Sequence, residues 1–307
     1  MSLRAASHLE GVLHDGPFAV TAEAVPPAGA DPGPLAEQAR ALRGYADAVN
    51  ITDNPTASAH MSAVAGAAIV AGEGLEPIMQ ITTRDRNRLG ITADLLGAWA
   101  LGARNLLCLT GDPVAVGDHP EAKEVFDLDV LELVRLAVAV RERGELAPGR
   151  RVDDPPRFLV GVADNPLVAG YRPDRLEAKA EAGADFVQTQ IVYDVEALAA
   201  WADAVRPRGV FERMFVLIGV APPRGPASAS YMREHLPGVV VPDEVVSRLE
   251  SAGPDAVEEG VRLTVEVVKG LREIDGIAGV HVMGLGKEEA VRRVIEDAGL
   301  LPRPPAT

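Results

Sequence analysis

The feature that most narrows the fold is a count: eight short, apolar, β-rich runs, each followed by a longer stretch, several of them with a helical pattern. The runs are Pro17–Ala24 (PFAVTAEA), Ala46–Thr52 (ADAVNIT), Glu76–Thr82 (EPIMQIT), Asn105–Thr110 (NLLCLT), Arg157–Ala163 (RFLVGVA), Asp185–Ile191 (DFVQTQI), Met214–Val220 (MFVLIGV) and Ala278–Gly284 (AGVHVMG). Between them lie helical patterns such as GITADLLGAWALGA and DRLEAKAEAGA, which stop at glycines as helix C-caps do. Strand followed by helix is the signature of a parallel sheet covered by helices, and eight such units close into a (β/α)8 TIM barrel. A doubly wound open sheet would share the alternation, but it carries a glycine-rich phosphate turn after its first strand. Here that turn, AEAVPPAGAD, holds two prolines instead. The expectation is a single domain over residues 1–307, with the barrel at about 17–299 between short tails. DLDVLELVRLAVAVRERGEL reads as the fourth helix and APGRRVDDPP as a loop before the fifth strand.

Composition removes several function classes. With 30 Lys+Arg against 45 Asp+Glu the net charge is −15, which argues against a nucleic-acid or anionic-membrane surface and leaves room only for a local basic pocket. The one cysteine, Cys108, lies in an apolar run, so there is no intrachain disulfide and no thiolate-rich metal site, and a reducing cytoplasm is the expected home. The longest small-apolar stretch, Ala63–Gly72, falls far short of the roughly 20 residues a membrane helix needs, and MSLRAASHLEG has no signal-peptide core. The histidines at 8, 14, 60, 119, 235 and 281 never occur at metal-ligand spacing, and His281 reads as a core histidine, so no metal site is expected. No G-x-S-x-G elbow is present.

Barrel chemistry is built where strands finish. The strand ends supply Glu23, Thr52 with Asp53 and Asn54, Gln80 with Thr82, Asp112, Asn165, Gln190 and Lys287. Any one of these alone is a turn or capping residue; together they form a polar ring. Glu23 sits among small and apolar residues before a double proline, so its carboxyl should be poorly hydrated, with a raised pKa suited to donating a proton near neutrality. Asp112, in the Gly-Asp-Pro turn of LTGDP, could stay ionised, giving two carboxylates with divided roles. Arg84 and Arg86 in TTRDRN either fork onto the carboxylates or phosphates of a ligand or build an ion network that orders the loop. The sequence leaves both readings open.

Taken in order, AEAVPP, VNITDNPTAS, QITTRDRNRL, ALGARNLLCLTGDP, AGADFVQTQIVYD and GVHVMGLGK resemble the methylenetetrahydrofolate reductases, flavin-dependent (β/α)8 barrels of one-carbon metabolism. RDRN followed by LTGDP is most similar to the branch found in fused homocysteine methyltransferases and acetogen-type enzymes. The resemblance implies Glu23 as general acid and Asp112 as a catalytic contact to flavin and pterin. It further implies Gln190 as a folate or nicotinamide ligand, while the strand-end reading adds Lys287 and Arg84 as substrate-binding residues. Thr52 would lie near the nicotinamide, and flavin contacts would come from Gln80, Thr110, Gly111, Asp112, Asn165 and, at the phosphates, Lys179. Three of these positions depart from the common pattern: Gln80 stands for a histidine, Thr110 for an arginine, and Asp164 or Asn165 for a tyrosine. The implied activity is reduction of methylene- to methyl-tetrahydrofolate through FAD, with NAD(P)H as hydride donor. Two alternatives accompany it: a flavin-free enzyme passing hydride directly from NAD(P)H to folate, and a folate- or flavin-binding subunit served by an electron-transfer partner protein. A homo-oligomer is the expected assembly.

Overall fold

All eight runs form strands in the computed structural model, which describes residues 3–5, 7–147 and 149–305. β1 (Ala19–Ala24), β2 (Ala48–Ile51), β3 (Pro77–Thr82), β4 (Asn105–Leu109), β5 (Leu159–Asp164), β6 (Phe186–Ile191), β7 (Phe215–Val220) and β8 (Ile277–Val282) are all parallel. They pair in chain order and β8 closes on β1. The chain is therefore a single (β/α)8 barrel. The helices are α1 (His8–Asp15), α2 (Gly33–Leu42), α3 (Ala63–Gly72), α4 (Arg88–Ala100), α5 (Val130–Arg143), α6 (Pro173–Glu181), α7 (Val195–Val205), α8 (Pro226–His235), α9 (Asp243–Ala252), α10 (Ala256–Leu271) and α11 (Glu288–Asp297).

Strand alternation sorts the side chains. Val20, Ala22, Val49, Ile51, Val160, Val162, Val280 and Val282 face outward into the shell of helices. Ala19, Ala48, Ile78, Leu107, Leu159, Phe186 and Leu217 face inward as a packed layer at the barrel's base. Phe186 fits there because residue 161 is glycine; a Cβ at that position would overlap its ring. Leu9, Val12 and Leu13 of α1 seal this layer from below. The N-terminal segment expected as a tail is thus a plug. Ser7 caps α1, and the Glu76 carboxylate accepts the backbone N–H groups of His8 (2.7 Å) and Leu9 (3.0 Å).

Two other segments differ from the sequence expectation. The fourth helix stops at Arg143 because Gly144 adopts a left-handed cap (φ 62°). Glu145–Ala147, at the end of the expected helix and the start of the expected loop, pairs with Arg150–Arg151 as a short antiparallel hairpin. Between β7 and α10 the chain inserts α8 and α9, whose connection reaches back over β5 and β6.

Candidate active site

The C-terminal ends of the strands place most of the expected residues on one rim, each for a local reason. Glu23 is the last but one residue of β1, in register with Asn50 of β2, and it points inward by alternation from Ala19 and Thr21. It is half-buried, and among the described residues its carboxyl has no recorded hydrogen-bond or ionic partner. Burial alone raises its pKa from the ordinary 4.5 to about 7.

Thr52 follows β2, and its hydroxyl is sealed from solvent and has no hydrogen-bond partner among the described residues. Such an orphan is costly, of the order of 1–3 kcal/mol, unless something satisfies it. Gln80 is the inward residue of β3 near its end and is half-buried. Thr110, Gly111 and Asp112 make the turn after β4, with Gly111 at φ 93°, where its missing side chain lets the turn lie against Thr82 and Arg84. Asp112 is exposed at the rim, its carboxylate accepting the Thr56 N–H at 3.1 Å. Asn165 is exposed just beyond β5, beside Gly238 of the α8–α9 connection. Lys287 is exposed at the N-terminus of α11, after β8.

Gln190 is aimed by a register shift between β6 and β7, where Gly219 lets the Thr189 carbonyl come closer than a Cβ would allow. Its side chain folds back: Oε1 accepts the Ile191 N–H (2.9 Å) and Nε2 donates to the Pro237 carbonyl (3.0 Å). One amide proton remains for a ligand. Lys179 lies on α6, away from the strand ends, and reaches them by length. Nζ donates to the Ala163 carbonyl at 2.6 Å and lies 3.5 Å from Asp164, whose other oxygen accepts the Tyr171 hydroxyl.

Arg84 requires a correction. A guanidinium available to a ligand tail was one expectation, but the residue is 2% exposed. Nε and Nη2 fork onto Asp85 (2.6 and 2.7 Å), Nη1 donates to the Asp112 carbonyl (3.1 Å) and Nη2 to the Asn54 carbonyl (3.3 Å). It ties together the loops after β2, β3 and β4. Arg86 likewise forks onto buried Asp53 (2.7 and 2.9 Å) and pairs with Asp94. The ion-network reading of TTRDRN is the one these contacts match.

One layer below the rim lies a group that sequence reading left out. Asn50 and Gln188 exchange amide hydrogen bonds (2.6 and 3.1 Å), Gln188 also donates to the Thr21 hydroxyl (3.0 Å), and Thr21 Oγ1 lies 3.0 Å from His281 Nδ1. These four residues come from β2, β6, β1 and β8. The signal was available: Thr21, Asn50 and Gln188 each stand two residues before a rim residue, and so on the same inward face. His281, read as a core histidine, is buried here, and burial holds its pKa down to about 3, so the ring is neutral.

The methylenetetrahydrofolate reductase family model matches residues 8–299. The chain belongs to that family. Among curated relatives of this reductase family, methylenetetrahydrofolate reductase 1 of Schizosaccharomyces pombe is 32% identical over 239 residues, covering 74% of this chain and 36% of its own. The probable methylenetetrahydrofolate reductase (NADPH) of Caenorhabditis elegans is 24% identical over 236 residues, covering 74% and 33%. The chain thus spans about a third of the length of the curated relatives it matches. Among solved structures, an uncharacterized protein from Clostridium thermocellum that binds two copies of 5-methyl-5,6,7,8-tetrahydrofolic acid superposes with a TM-score of 0.66 at 14% identity. The match covers 94% of this chain and 98% of that one, and the likeness is one of fold. Among the described residues no helix is long and apolar enough to cross a membrane.

Two features bear on whether a flavin fits this rim. Among the described residues the buried Thr52 hydroxyl has no polar partner, and the Lys179 ammonium keeps one of its three protons uncommitted beside the Asp164 carboxylate.

Proposed function

We propose that this barrel reduces methylenetetrahydrofolate to methyltetrahydrofolate. The observation that carries the reading is Glu23, a half-buried acid at a barrel mouth, without a polar partner among the described residues, whose pKa of about 7 leaves it half protonated at neutrality. Reduction of the bridging carbon requires the five-membered ring to open, and opening requires a proton on the departing nitrogen. Glu23 supplies that proton, acting as general acid. Asp112, exposed at the rim, stabilises the cationic carbon–nitrogen bond that results, and Gln190 orients the folate ring with its free amide proton. Lys287, exposed after β8, takes the carboxylates of the substrate's tail.

FAD would be held by Thr52, Gln80, Thr110, Gly111, Asp112 and Asn165 around its ring and by Lys179 at its phosphates; when bound, it supplies hydride transfer, replenished by NAD(P)H. One observation favours a second reading. The Asp164 carboxylate lies 3.5 Å from Lys179 and introduces an anion where a phosphate would sit, which suits direct hydride transfer from NAD(P)H to folate without flavin.

An absorption spectrum of the purified protein from the near-ultraviolet to the blue separates these routes, because only a flavoprotein is yellow. Anaerobic turnover of methylenetetrahydrofolate with NAD(P)H, with and without added FAD, tests the activity itself. Absence of both turnover and folate binding by calorimetry would refute the proposal.

A further inference from the structure

The layer beneath the rim uses four buried polar side chains where a barrel of this kind could be filled by aliphatic ones. Buried polar groups of this sort fix one arrangement when every donor and acceptor is matched. Here the matching has a direction. Both Gln188 amide protons are spent, on Asn50 Oδ1 and Thr21 Oγ1, and Asn50 returns a proton to Gln188 Oε1. Thr21 Oγ1 therefore accepts from Gln188, and its own proton turns to His281 Nδ1, at 3.0 Å, in preference to the Val280 carbonyl at 3.4 Å. An Nδ1 that accepts puts the ring proton on Nε2.

Nε2 is the ring nitrogen turned away from Thr21, and among the described residues it has no hydrogen-bond partner. The base of the barrel is packed and plugged by α1, so the 4% of His281 that stays exposed is on the side of the mouth. Thr21 and His281 are in register, and Glu23 stands two residues beyond Thr21 on the same inward face.

We propose that Asn50 and Gln188 are positioning residues whose reciprocal amide pair orients the Thr21 hydroxyl, and through it locks His281 in the tautomer that presents Nε2–H to the mouth beneath Glu23. A neutral donor there supports the carboxylate that Glu23 becomes on giving up its proton, without adding a charge to the mouth. This role rests on the reading of Glu23 as the acid; the tautomer does not.

The test is a long-range ¹⁵N–¹H correlation spectrum of the imidazoles in the full chain, with His281 assigned by its loss in His281→Asn. Wild type and Thr21→Ser should show His281 as Nε2–H. Thr21→Val and Gln188→Met should shift it toward Nδ1–H. With that shift, kcat for folate reduction should fall about ten-fold, the kinetic equivalent of one neutral hydrogen bond, while KM changes little and Thr21→Ser stays within a few-fold of wild type. An Nδ1–H ring in the wild type overturns the proposal, and that measurement needs no variant to fold. A shifted tautomer with unchanged kcat overturns the link to Glu23. Should Glu23→Gln leave turnover intact, the acid reading fails while a locked tautomer would still stand.

Discussion

Replacing Glu23 by Gln separates the acid from its shape, and the size of the effect can be worked from the site. At pH 7 a group with a pKa of about 7 is half protonated, whereas at 4.5 it would be protonated in only about 0.3% of molecules, so burial enriches the acid form about 160-fold. Glu23→Gln should lower folate turnover by about 10² to 10⁴, the range for loss of a general acid. The wild-type rate should fall as pH rises through about 7, and the variant's should not. The same substitution should raise stability in alkali. A carboxyl whose folded pKa lies above its unfolded one stabilises the fold fully below the unfolded value, and that contribution is lost between pH 4.5 and about 7. The full shift would be worth about 3 kcal/mol; because Glu23 is half-buried, about 1–2 kcal/mol is the expected gain of the variant over wild type at pH 8, shrinking toward zero at pH 4. Urea denaturation at the two pH values measures it. A stability gain over wild type no larger at pH 8 than at pH 4, with folate turnover within a few-fold of wild type, would refute both the desolvated acid and its catalytic role.

Thr52→Val removes the orphaned hydroxyl and should stabilise the ligand-free protein by about 1 kcal/mol while weakening the ligand that satisfies it, seen by denaturation against titration. Arg84→Ala should cost about 3 kcal/mol, because it strips Asp85 and two loop carbonyls of their donor, and it should weaken folate and flavin together; loss of one ligand alone would restore the tail-binding reading. Lys287→Ala should raise KM for folates carrying several glutamates more than for the monoglutamate, with the difference disappearing at high salt. Equal KM changes at all tail lengths would remove Lys287 from tail recognition.

How far the sequence reveals this protein depends on which forces act locally. Strands were legible because apolar runs of fixed length between turn residues have few alternatives, and rim residues followed from where the strands end. The hairpin at Glu145–Arg151 was not, since nothing in GELAPGRR marks pairing without knowledge of what lies beside it. The α1 plug was missed because HLEGVLHD gains its stability from the barrel base and from Glu76, 68 residues away. Arg84 was ambiguous for a similar reason: its sequence neighbours show that it can pair with Asp85, but its burial comes from Asn54 and Asp112, which only the closed barrel brings to it. The Asn50–Gln188 pair joins strands 138 residues apart and has no local trace at all beyond the alternation of its strands.

The distribution of charge around the mouth gives the site its chemical character. Arg84 is spent on Asp85, Arg86 on Asp53 and Asp94, and Lys179 rests against Asp164. These pairs hold loops, so strong charges at the rim largely cancel among themselves. Beyond these pairs the rim offers mostly neutral donors and acceptors, the amides of Gln80, Asn165 and Gln190. To these are added the rim carboxylate of Asp112, the exposed ammonium of Lys287 and the acid of Glu23. Neutral amide and hydroxyl groups match the edges of a pterin or flavin ring, which offers both donors and acceptors, better than they match a phosphate or a sugar phosphate. Keeping the surroundings neutral also preserves the property on which the proposed chemistry depends, because a cation brought unpaired to Glu23 would favour its ionised form and empty it of the proton it has to give.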